Sequence, residues 1–175
     1  MVYFSNEQII IRNMEDTDAQ AITDAEIEQG RDADGRLEKY QKRLEDQRLG
    51  KAISLVAECS GRPVGYINIY PNSVWGAFGG KGYPEIVDFG VLEKYRNQGL
   101  GTILMDMAEQ IAAIYANTVY LGVGLHSGYG SVQRMYVKRG YIPNGSGVWY
   151  QDKICTPYEV CINDDDLVLY LSKKL

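Results

Sequence analysis

The sequence predicts an α/β fold of the α+β type, in which a mixed, mostly antiparallel central sheet is flanked by helices. Three observations predict it. Short runs rich in β-branched and aromatic residues alternate with amphipathic helical patterns over most of the chain. The carboxyl-terminal part carries only strand-like runs. The length of 175 residues and the hydrophobic content of 45% suit one domain, residues 1–175, around a single core.

The first 70 residues are predicted to form a strand, two helices and a hairpin. Apolar residues recur with helical spacing in the two helices, whose ends carry capping residues or glycine. Two β-branched runs flank a two-residue turn signal, which is typical of a hairpin. The predicted elements are a strand at 8–13, a helix from Asp16 or Thr17 to about Gln29, a helix at 36–49, and hairpin strands at 52–59 and 62–70 around Ser60-Gly61.

The rest of the chain is predicted to begin with a long glycine-rich loop, residues 71–84, of the length that often carries function. Strands and helices then alternate before the last strands, and the run of three aspartates at 164–166 is read as a solvated turn. The predicted elements are a strand at 85–92, a helix at 99–115, a strand at 118–125, a helix at 131–139, and strands at 141–143, 147–150 and 166–172.

Composition and charge narrow the function. A net charge of -5 and a pI near 4.9 argue against a nucleic-acid partner, which needs a basic face, and fit a cationic small substrate better. The single histidine, His126, leaves no histidine-based metal cluster, so no metal is expected. The three cysteines include no C-x-x-C pair, so reduced, partly buried thiols without chemistry are expected. No leader pattern and no apolar run of ~20 residues occur, so we expect a cytoplasmic protein without a membrane partner.

The segment EKYRNQGLGTILMDMAEQIA, residues 93–112, places Gly99 and Gly101 at the start of an amphipathic helix, with Arg96 just before them. A glycine in a helix costs about 1 kcal/mol relative to alanine, so the pair needs a reason. A helix start has unpaired N–H groups and a partial positive charge, and residues without a Cβ let an anion reach those groups. An arginine adds a charge that binds phosphate oxygens. The segment predicts a diphosphate site, and a turn that merely needs glycine is the alternative.

Other motifs for phosphate binding and catalysis are absent. The chain contains no G-x-x-x-x-G-K-[ST], no G-x-G-x-x-G and no G-x-S-x-G. Kinase and dinucleotide-binding functions are therefore not predicted. A serine hydrolase is poorly supported as well, because His126 would have to be its only base.

Two segments resemble the GCN5-related N-acetyltransferase (GNAT) family. GVLEKYRNQGLG resembles the family's acetyl-CoA motif, a strand ending in valine followed by [QR]-x-x-G-x-[GA], and MYVKRGY resembles its later L-Y-x-x-x-G-[FY] signature. The two segments lie about 40 residues apart with a helix and a strand predicted between them, as in the family. The resemblance covers residues 51–143, and the first 50 residues match only in element order. It implies a GNAT-like sheet.

The resemblance also implies acetyl-CoA as the cosubstrate. Backbone groups of Phe89, Gly90 and Val91 would contact the pantetheine arm. Tyr136 would act as the general acid near the thioester sulfur, because a phenol with a pKa near 10 stays protonated at pH 7 and can protonate the departing thiolate. A packed aromatic residue is the alternative for this tyrosine. The residues implied for the diphosphate are Arg96, Asn97, Gln98, Gly99, Leu100, Gly101 and Thr102.

The amine must also lose a proton, and the candidate bases lie on or near the predicted strand 85–92. Asp88 is the preferred catalytic base, because a carboxylate within an apolar strand needs a partner or a role, and a structural partner is the alternative. Strand alternation puts Glu85, the second candidate, on the opposite face. His126 is a third candidate, or a structural donor.

Two departures from the family pattern leave a second function open. Gly124 stands where some members carry a glutamate, and Tyr129 stands where an asparagine is frequent, with Ser131 as its substitute. The preferred function is acetyl transfer to a primary amine of a small molecule. The alternative is a non-catalytic acyl-CoA-binding sensor or interaction module, and a homodimer is compatible with either. The loop residues predicted to shape the acceptor pocket are Trp75, Phe78 and Tyr83.

Overall fold

The structure is a computed structural model that describes residues 1–175. It contains four α-helices and nine strands, so the predicted mixed class is confirmed, and none of its helices is long and apolar enough to cross a membrane. The helices are α1 (Asp16–Glu28), α2 (Arg36–Arg48), α3 (Leu100–Ala112) and α4 (Gly130–Lys138). The strands are β1 (Val2–Ser5), β2 (Ile10–Asn13), β3 (Ile53–Cys59), β4 (Arg62–Tyr70), β5 (Glu85–Val91), β6 (Thr118–Gly124), β7 (Ile142–Tyr150), β8 (Lys153–Ile154) and β9 (Leu167–Lys174).

The chain divides into two compact units, and the first comprises Met1–Tyr70 and Val87–Ile111. Its strands follow the order β1-β2-β3-β4-β5, and the pairs from β1 to β4 are antiparallel. Ser60 and Gly61 both have left-handed φ values, 51° and 74°, which is the backbone of the predicted hairpin turn. Helix α1 packs on β4 and α2 on β3. Their shared core is formed by Met14, Ala19, Ile22, Tyr40, Leu44, Val56 and Tyr66.

The second unit comprises Pro71–Ile86 and Ala112–Leu175. Its strands follow the order β5-β6-β9-β7-β8. The first two residues of β5 pair in parallel with Tyr120 and Leu121 of β6, and the other pairs in this unit are antiparallel. The predicted mostly antiparallel sheet is therefore confirmed, while a single domain stays a prediction.

Most predicted elements agree with the structure to within a few residues, and three differ for physical reasons. Strand β1 was not predicted, because it is only four residues long and its turn to β2 is marked by a single Asn6, whose carboxamide accepts two backbone N–H groups. Helix α1 is capped at Glu15, one residue early, where Asp18 accepts the backbone N–H of Glu15 at 2.7 Å. The predicted strands 141–143 and 147–150 are one strand, β7, with a register shift at its glycines.

Candidate active site

The loop from Arg96 to Gly99 leads into α3, and all four of its residues are exposed. Asn97 and Gly99 both have left-handed φ values, 60° and 82°. The N–H groups of residues 100–102 precede the first ladder bond of the helix, which runs from the N–H of Ile103 to the carbonyl of Gly99 at 3.1 Å. The helix start therefore offers main-chain donors without a helical partner at the positive end of the helix dipole, next to an exposed loop.

Arg96 is oriented by the backbone beside this helix start. Its Nε donates to the carbonyl of Val91 at 3.0 Å, and its Nη1 lies 3.5 Å from the carboxylate of Glu93. The Arg96 side chain remains 48% exposed. An exposed pair at that distance contributes little stability, so the guanidinium can bind an anion without losing a strong ion pair. Gln98 donates to the carbonyl of Lys94 at 2.9 Å and closes the loop.

Glycine is needed at residues 99 and 101 of the motif for different structural reasons. Gly99 needs its left-handed φ, and a Cβ there would meet nothing within 4 Å. A Cβ on Gly101 would lie 3.2 Å from Cζ of Phe89, so this glycine lets α3 approach β5 closely. The sequence predicts a role in anion access for both glycines, and the structure adds a packing role for Gly101.

Strand β5 becomes irregular in its second half. Its pairing with β6 ends at Ile86, and residues 87–91 are half-buried. Asp88 has a left-handed φ of 49°, which is uncommon for a residue other than glycine. The carboxamide of Asn68 on β4 donates to the carbonyls of Asp88 and the residue before it at 3.4 and 3.3 Å. This irregular stretch contains Phe89, Gly90 and Val91, the predicted pantetheine contacts.

Gly90 lies directly against the ring of Tyr66, since a Cβ on Gly90 would be 2.5 Å from Cζ of that ring. Tyr66 donates to Glu26 at 2.8 Å and Tyr40 donates to the same carboxylate at 2.7 Å. Burial alone would raise the pKa of Glu26, but the hydrogen bonds from the two tyrosines hold it below its usual value. This support of Gly90 was not predicted, and a glycine inside a strand is its only signal in the sequence.

Asp88, the preferred base, has a partner in the structure. Its Oδ2 accepts from Nε and Nη2 of Arg43 on α2 at 2.7 and 2.6 Å. Arg43 also donates to the hydroxyl of Tyr70, which in turn donates to Asp46 at 2.8 Å. The ion pair with Arg43 is the structural partner that was the alternative role of Asp88.

Glu85, the second candidate base, is only 7% exposed and belongs to the second unit. The hydroxyl of Ser73 donates to its carboxylate. Burial, followed by the charge of Glu85, raises the pKa of both Tyr120 and Tyr170 above the usual value. The carboxylate therefore lies among aromatic residues and has a hydroxyl donor.

Tyr136, the predicted acid, lies on α4 and is 5% exposed. Burial, followed by the charge of Tyr129, raises the pKa of Tyr136 above its usual value of 10. Its ring packs 5.7 Å from that of Tyr141. A phenol that stays protonated at neutral pH has the protonation state that a general acid needs.

The structure uses both ring nitrogens of His126. Nδ1 accepts the backbone N–H of Gly128 at 3.1 Å, and Nε2 lies 2.9 Å from the carboxylate of Asp165. Because Nδ1 accepts, Nε2 carries the proton and donates it to Asp165. The geometry therefore supports the structural-donor alternative for His126. It also shows that Asp165 does more than form a solvated turn, because it accepts from Tyr129 at 2.8 Å as well.

Gly124 and Tyr129, the two departures from the family pattern, pack against each other. A Cβ on Gly124 would lie 2.3 Å from the ring of Tyr129, so the ring fills the place that a side chain at residue 124 would take. Gln133 donates to the carbonyl of Gly124 at 2.7 Å and holds the end of β6. A glutamate at residue 124 and a tyrosine at residue 129 are therefore incompatible in this arrangement.

The loop 71–84 presents its aromatic residues in different environments. Trp75 is 61% exposed, although its carbonyl accepts from the hydroxyl of Tyr120 at 2.8 Å. Phe78 packs on Tyr120 at 5.1 Å between ring centroids, and the ammonium of Lys81 lies 5.2 Å from the centre of the Phe78 ring. Tyr83 lies 6.0 Å from Phe78. The loop thus has one exposed indole and one aromatic face already in contact with a cation.

The predicted site residues fall in both units. Asp88 and the predicted cofactor contacts from Phe89 to Thr102 belong to the first unit, whereas Glu85, His126 and Tyr136 belong to the second. Within the first unit the structure brings Arg96 onto the backbone of β5 and packs Gly101 on Phe89. The two segments predicted to bind pantetheine and diphosphate are therefore in direct contact with each other.

Comparison with known proteins identifies the family. The model of the acetyltransferase (GNAT) family matches residues 19–141, a span that includes the loop 96–99 and Tyr136. The chain therefore belongs to the GNAT acetyltransferase family, as its motifs predicted. No curated protein matched the sequence.

Solved structures share the fold at low sequence identity. RimL, the ribosomal L7/L12 alpha-N-protein acetyltransferase, superposes with a TM-score of 0.72 and 9% identity over 100% of this chain and 94% of its own. A protein of Desulfovibrio desulfuricans assigned to the GNAT acetyltransferases superposes with a TM-score of 0.70 and 13% identity. The match covers 95% of this chain and 98% of that protein. Ard1 from Thermoplasma volcanium superposes with a TM-score of 0.67 and 18% identity over 96% of this chain and 98% of its own. RimL has also been solved in complex with coenzyme A.

Proposed function

We propose that the protein is an N-acetyltransferase that moves the acetyl group of acetyl-CoA to a primary amine of a small molecule by direct attack on the thioester. Membership of the GNAT family is the observation that carries the proposal, and the exposed loop 96–99 before α3 supports it. The residues proposed for the cofactor are Phe89, Gly90, Val91, Arg96, Asn97, Gln98, Gly99, Leu100, Gly101 and Thr102. Binding of acetyl-CoA to other residues would contradict this assignment of the cofactor site.

The helix start suits the diphosphate chemically. Main-chain N–H groups of residues 100–102 and the guanidinium of Arg96 supply donors and positive charge to oxygens that carry negative charge. The net charge of the protein is -5, so the protein as a whole repels an anion. Local donors and a local positive charge are therefore needed to bind the diphosphate. The backbone of residues 89–91 is the proposed partner of the pantetheine amides.

Tyr136 is the proposed general acid. The attack of a neutral amine on the thioester carbonyl forms a C–N bond, breaks the C–S bond and leaves a thiolate on CoA. The phenol proton of Tyr136 would pass to that sulfur. The raised pKa of Tyr136 keeps the proton in place until the thiolate forms.

The proton of the amine has two proposed acceptors on β5, Asp88 and Glu85. Asp88 forms an ion pair with Arg43, whereas Glu85 is buried and accepts from the hydroxyl of Ser73. Comparing Asp88→Asn with Glu85→Gln decides between them, because loss of the base removes the acidic limb of the pH profile of kcat. Arg43→Gln is the matched control, since it frees the Asp88 carboxylate without removing it.

The acceptor is proposed to be a cationic amine in the neighbourhood of the loop 71–84. The acidic balance of the chain and the exposed indole of Trp75 support a positively charged acceptor. Because RimL is a ribosomal L7/L12 alpha-N-protein acetyltransferase, an amino-terminal peptide belongs in the test panel beside small amines. The cytoplasmic location remains a prediction from composition.

Release of free CoA thiol tests the proposal. The purified protein with acetyl-CoA and a panel of amines should release thiol with at least one acceptor. Tyr136→Phe should reduce kcat by about 10²-fold or more while the affinity for acetyl-CoA is retained, because only proton donation is removed. Unchanged kcat in Tyr136→Phe would remove Tyr136 from the mechanism.

The alternative is a non-catalytic acyl-CoA sensor, which the replacement of two family residues by Gly124 and Tyr129 favours. In that case acetyl-CoA should raise the melting temperature of the protein while no amine in the panel is acetylated. Turnover with any amine would exclude the sensor as the sole function.

A further inference from the structure

Two of the three cysteines lie in contact. The sulfurs of Cys155 and Cys161 are 3.3 Å apart, both side chains are half-buried, and both belong to the segment between β8 and β9. Cys59 lies on β3 in the first unit, where its Sγ is 4.0 Å from the hydroxyl of Ser60. The chain therefore contains one sulfur pair and one separate thiol.

A tight turn between the two cysteines brings the sulfurs together. The carbonyl of Thr156 accepts the N–H of Glu159 at 3.0 Å, with Pro157 and Tyr158 at the two central positions. Tyr158 has a left-handed φ of 70°, which together with proline at the preceding position is the pattern of a type II turn. Glu159 reinforces the turn, since its carboxylate accepts the N–H and the hydroxyl of Thr156 at 2.8 and 3.0 Å. The turn reverses the chain between Cys155 and Cys161.

This turn has little support from packing. A left-handed φ is unfavourable for a tyrosine, and glycine is the usual residue at that position of the turn. The side chain of Tyr158 is fully exposed, and Val160 is 96% exposed. The anchors of the segment are local: the bonds of Glu159, the bond from the N–H of Cys155 to the carbonyl of Val148 at 2.9 Å, and the contact of the two sulfurs. A covalent link between the sulfurs would fix a conformation that the fold already holds.

We propose that Cys155 and Cys161 form a site of reversible oxidation, in which a hydroperoxide converts the two thiols to a disulfide. One thiolate attacks the peroxide, the O–O bond breaks, and the cysteine becomes a sulfenic acid with release of an alcohol or water. The second sulfur then attacks the first, forms the S–S bond and releases water. Two electrons pass from the sulfurs to the peroxide, and a thiol reductant reverses the change.

Either sulfur can make the first attack on the peroxide. Partial burial and the hydrogen bond with Cys161 raise the pKa of Cys155. The 3.3 Å contact between the sulfurs lets the second thiol close the disulfide once the first is oxidised.

Peptide mapping of the full chain after treatment with hydrogen peroxide tests the proposal. Trypsin cuts after Lys153 and Lys173, so both cysteines lie on the peptide 154–173, while Cys59 lies on another. This peptide should lose two hydrogen atoms and resist alkylation. A second cut after Glu159 should leave its halves joined until dithiothreitol is added. Peptide 154–173 with two free thiols, or with added oxygen and no S–S bond, would overturn the proposal.

Serine variants supply the controls, and thiol counting in denaturant supplies a second measurement. The wild type should fall from three free thiols to one, and Cys59→Ser should fall from two to none. Cys155→Ser should form no internal disulfide, and a sulfenic-acid trap should label its Cys161. Loss of thiols in Cys155→Ser through an internal disulfide with Cys59 would contradict the assigned pair. These measurements use no acetyl-CoA, so they are independent of the proposed enzyme activity.

Discussion

At Gly90 a single hydrogen atom determines how closely β5 approaches the ring of Tyr66. The ring cannot withdraw easily, because it is 6% exposed and its hydroxyl is bonded to Glu26. Gly90 also belongs to the segment proposed to bind the pantetheine arm. Residues far apart in the sequence therefore set the backbone position of the candidate site.

Replacing Gly90 with alanine should lower the stability of the protein. The new Cβ would lie 2.5 Å from Cζ of Tyr66, and relieving such an overlap in a packed region costs about 1–3 kcal/mol. Urea denaturation measures the loss. Gly130→Ala is the control: a Cβ there meets nothing within 4 Å, and alanine favours the helix at this first residue of α4, so the variant should be at least as stable as the wild type. Equal stabilities of the two variants would contradict the close contact.

The carboxylate of Glu26 should make stability depend on pH. Its pKa is lower in the folded protein than the usual 4.5, so the charged group stabilises the fold above that pH. This contribution is lost as the pH falls below about 4.5 and through the folded pKa. The stability difference between the wild type and Glu26→Gln should therefore shrink between pH 6 and acidic pH in urea titrations. Glu28→Gln, an exposed position of the same helix, is the control, and an identical pH trend in both variants would refute the prediction.

At the residue scale the sequence shows which residue types carry chemistry but not what touches them. Arg96, Gly99 and Tyr136 were found from motifs, because family spacing is local in the sequence. The Arg43 partner of Asp88 could not be found in that way, because the two residues are separated by 45 positions and meet only when α2 packs against the first unit's sheet. The same applies to the support of Gly90 by Tyr66.

At the scale of elements, an ion pair connects α2 to β5. Arg43 and Asp88 are both about one-fifth exposed, so the pair is screened only in part. The bend of β5 at Asp88 depends on this pair and on the carboxamide of Asn68, which bonds the carbonyls of the bend.

A double-mutant cycle measures this connection. Arg43→Gln and Asp88→Asn should each reduce stability by about 1–2 kcal/mol, because each leaves a half-buried charge without its partner. The double variant should lose less than the sum, since no unpaired charge remains. Chemical denaturation of the four proteins gives the coupling energy, and additive losses would show that the two residues do not interact.

The elements themselves were largely predictable, because hydrophobic periodicity is a local signal. Helices α1 to α4 and the hairpin of β3 and β4 follow directly from it. The continuity of β7 could not be predicted, because Gly145 and Gly147 look like a turn in the sequence and are left-handed positions within a bulged strand. The irregular half of β5 was also unpredicted, since EIVDFGV reads as a regular buried strand.

At the scale of the whole molecule, the match to the GNAT family covers residues of both units. The match to residues 19–141 spans Glu26, the loop at 96–99 and Tyr136. The fold alone would allow either catalysis or sensing. The chemistry of the site decides between catalysis and sensing. The first question is whether the start of α3 binds a diphosphate.

The affinity of the protein for coenzyme A and for pantetheine, measured by isothermal titration calorimetry, tests this claim most directly. Pantetheine lacks the diphosphate and the nucleotide, so it should bind at least about tenfold more weakly than coenzyme A. Arg96→Gln should weaken coenzyme A about tenfold and leave pantetheine unchanged, because one charge-assisted contact is removed. Equal affinities of the wild type for the two ligands, or an Arg96→Gln variant that binds coenzyme A as tightly as the wild type, would contradict the account.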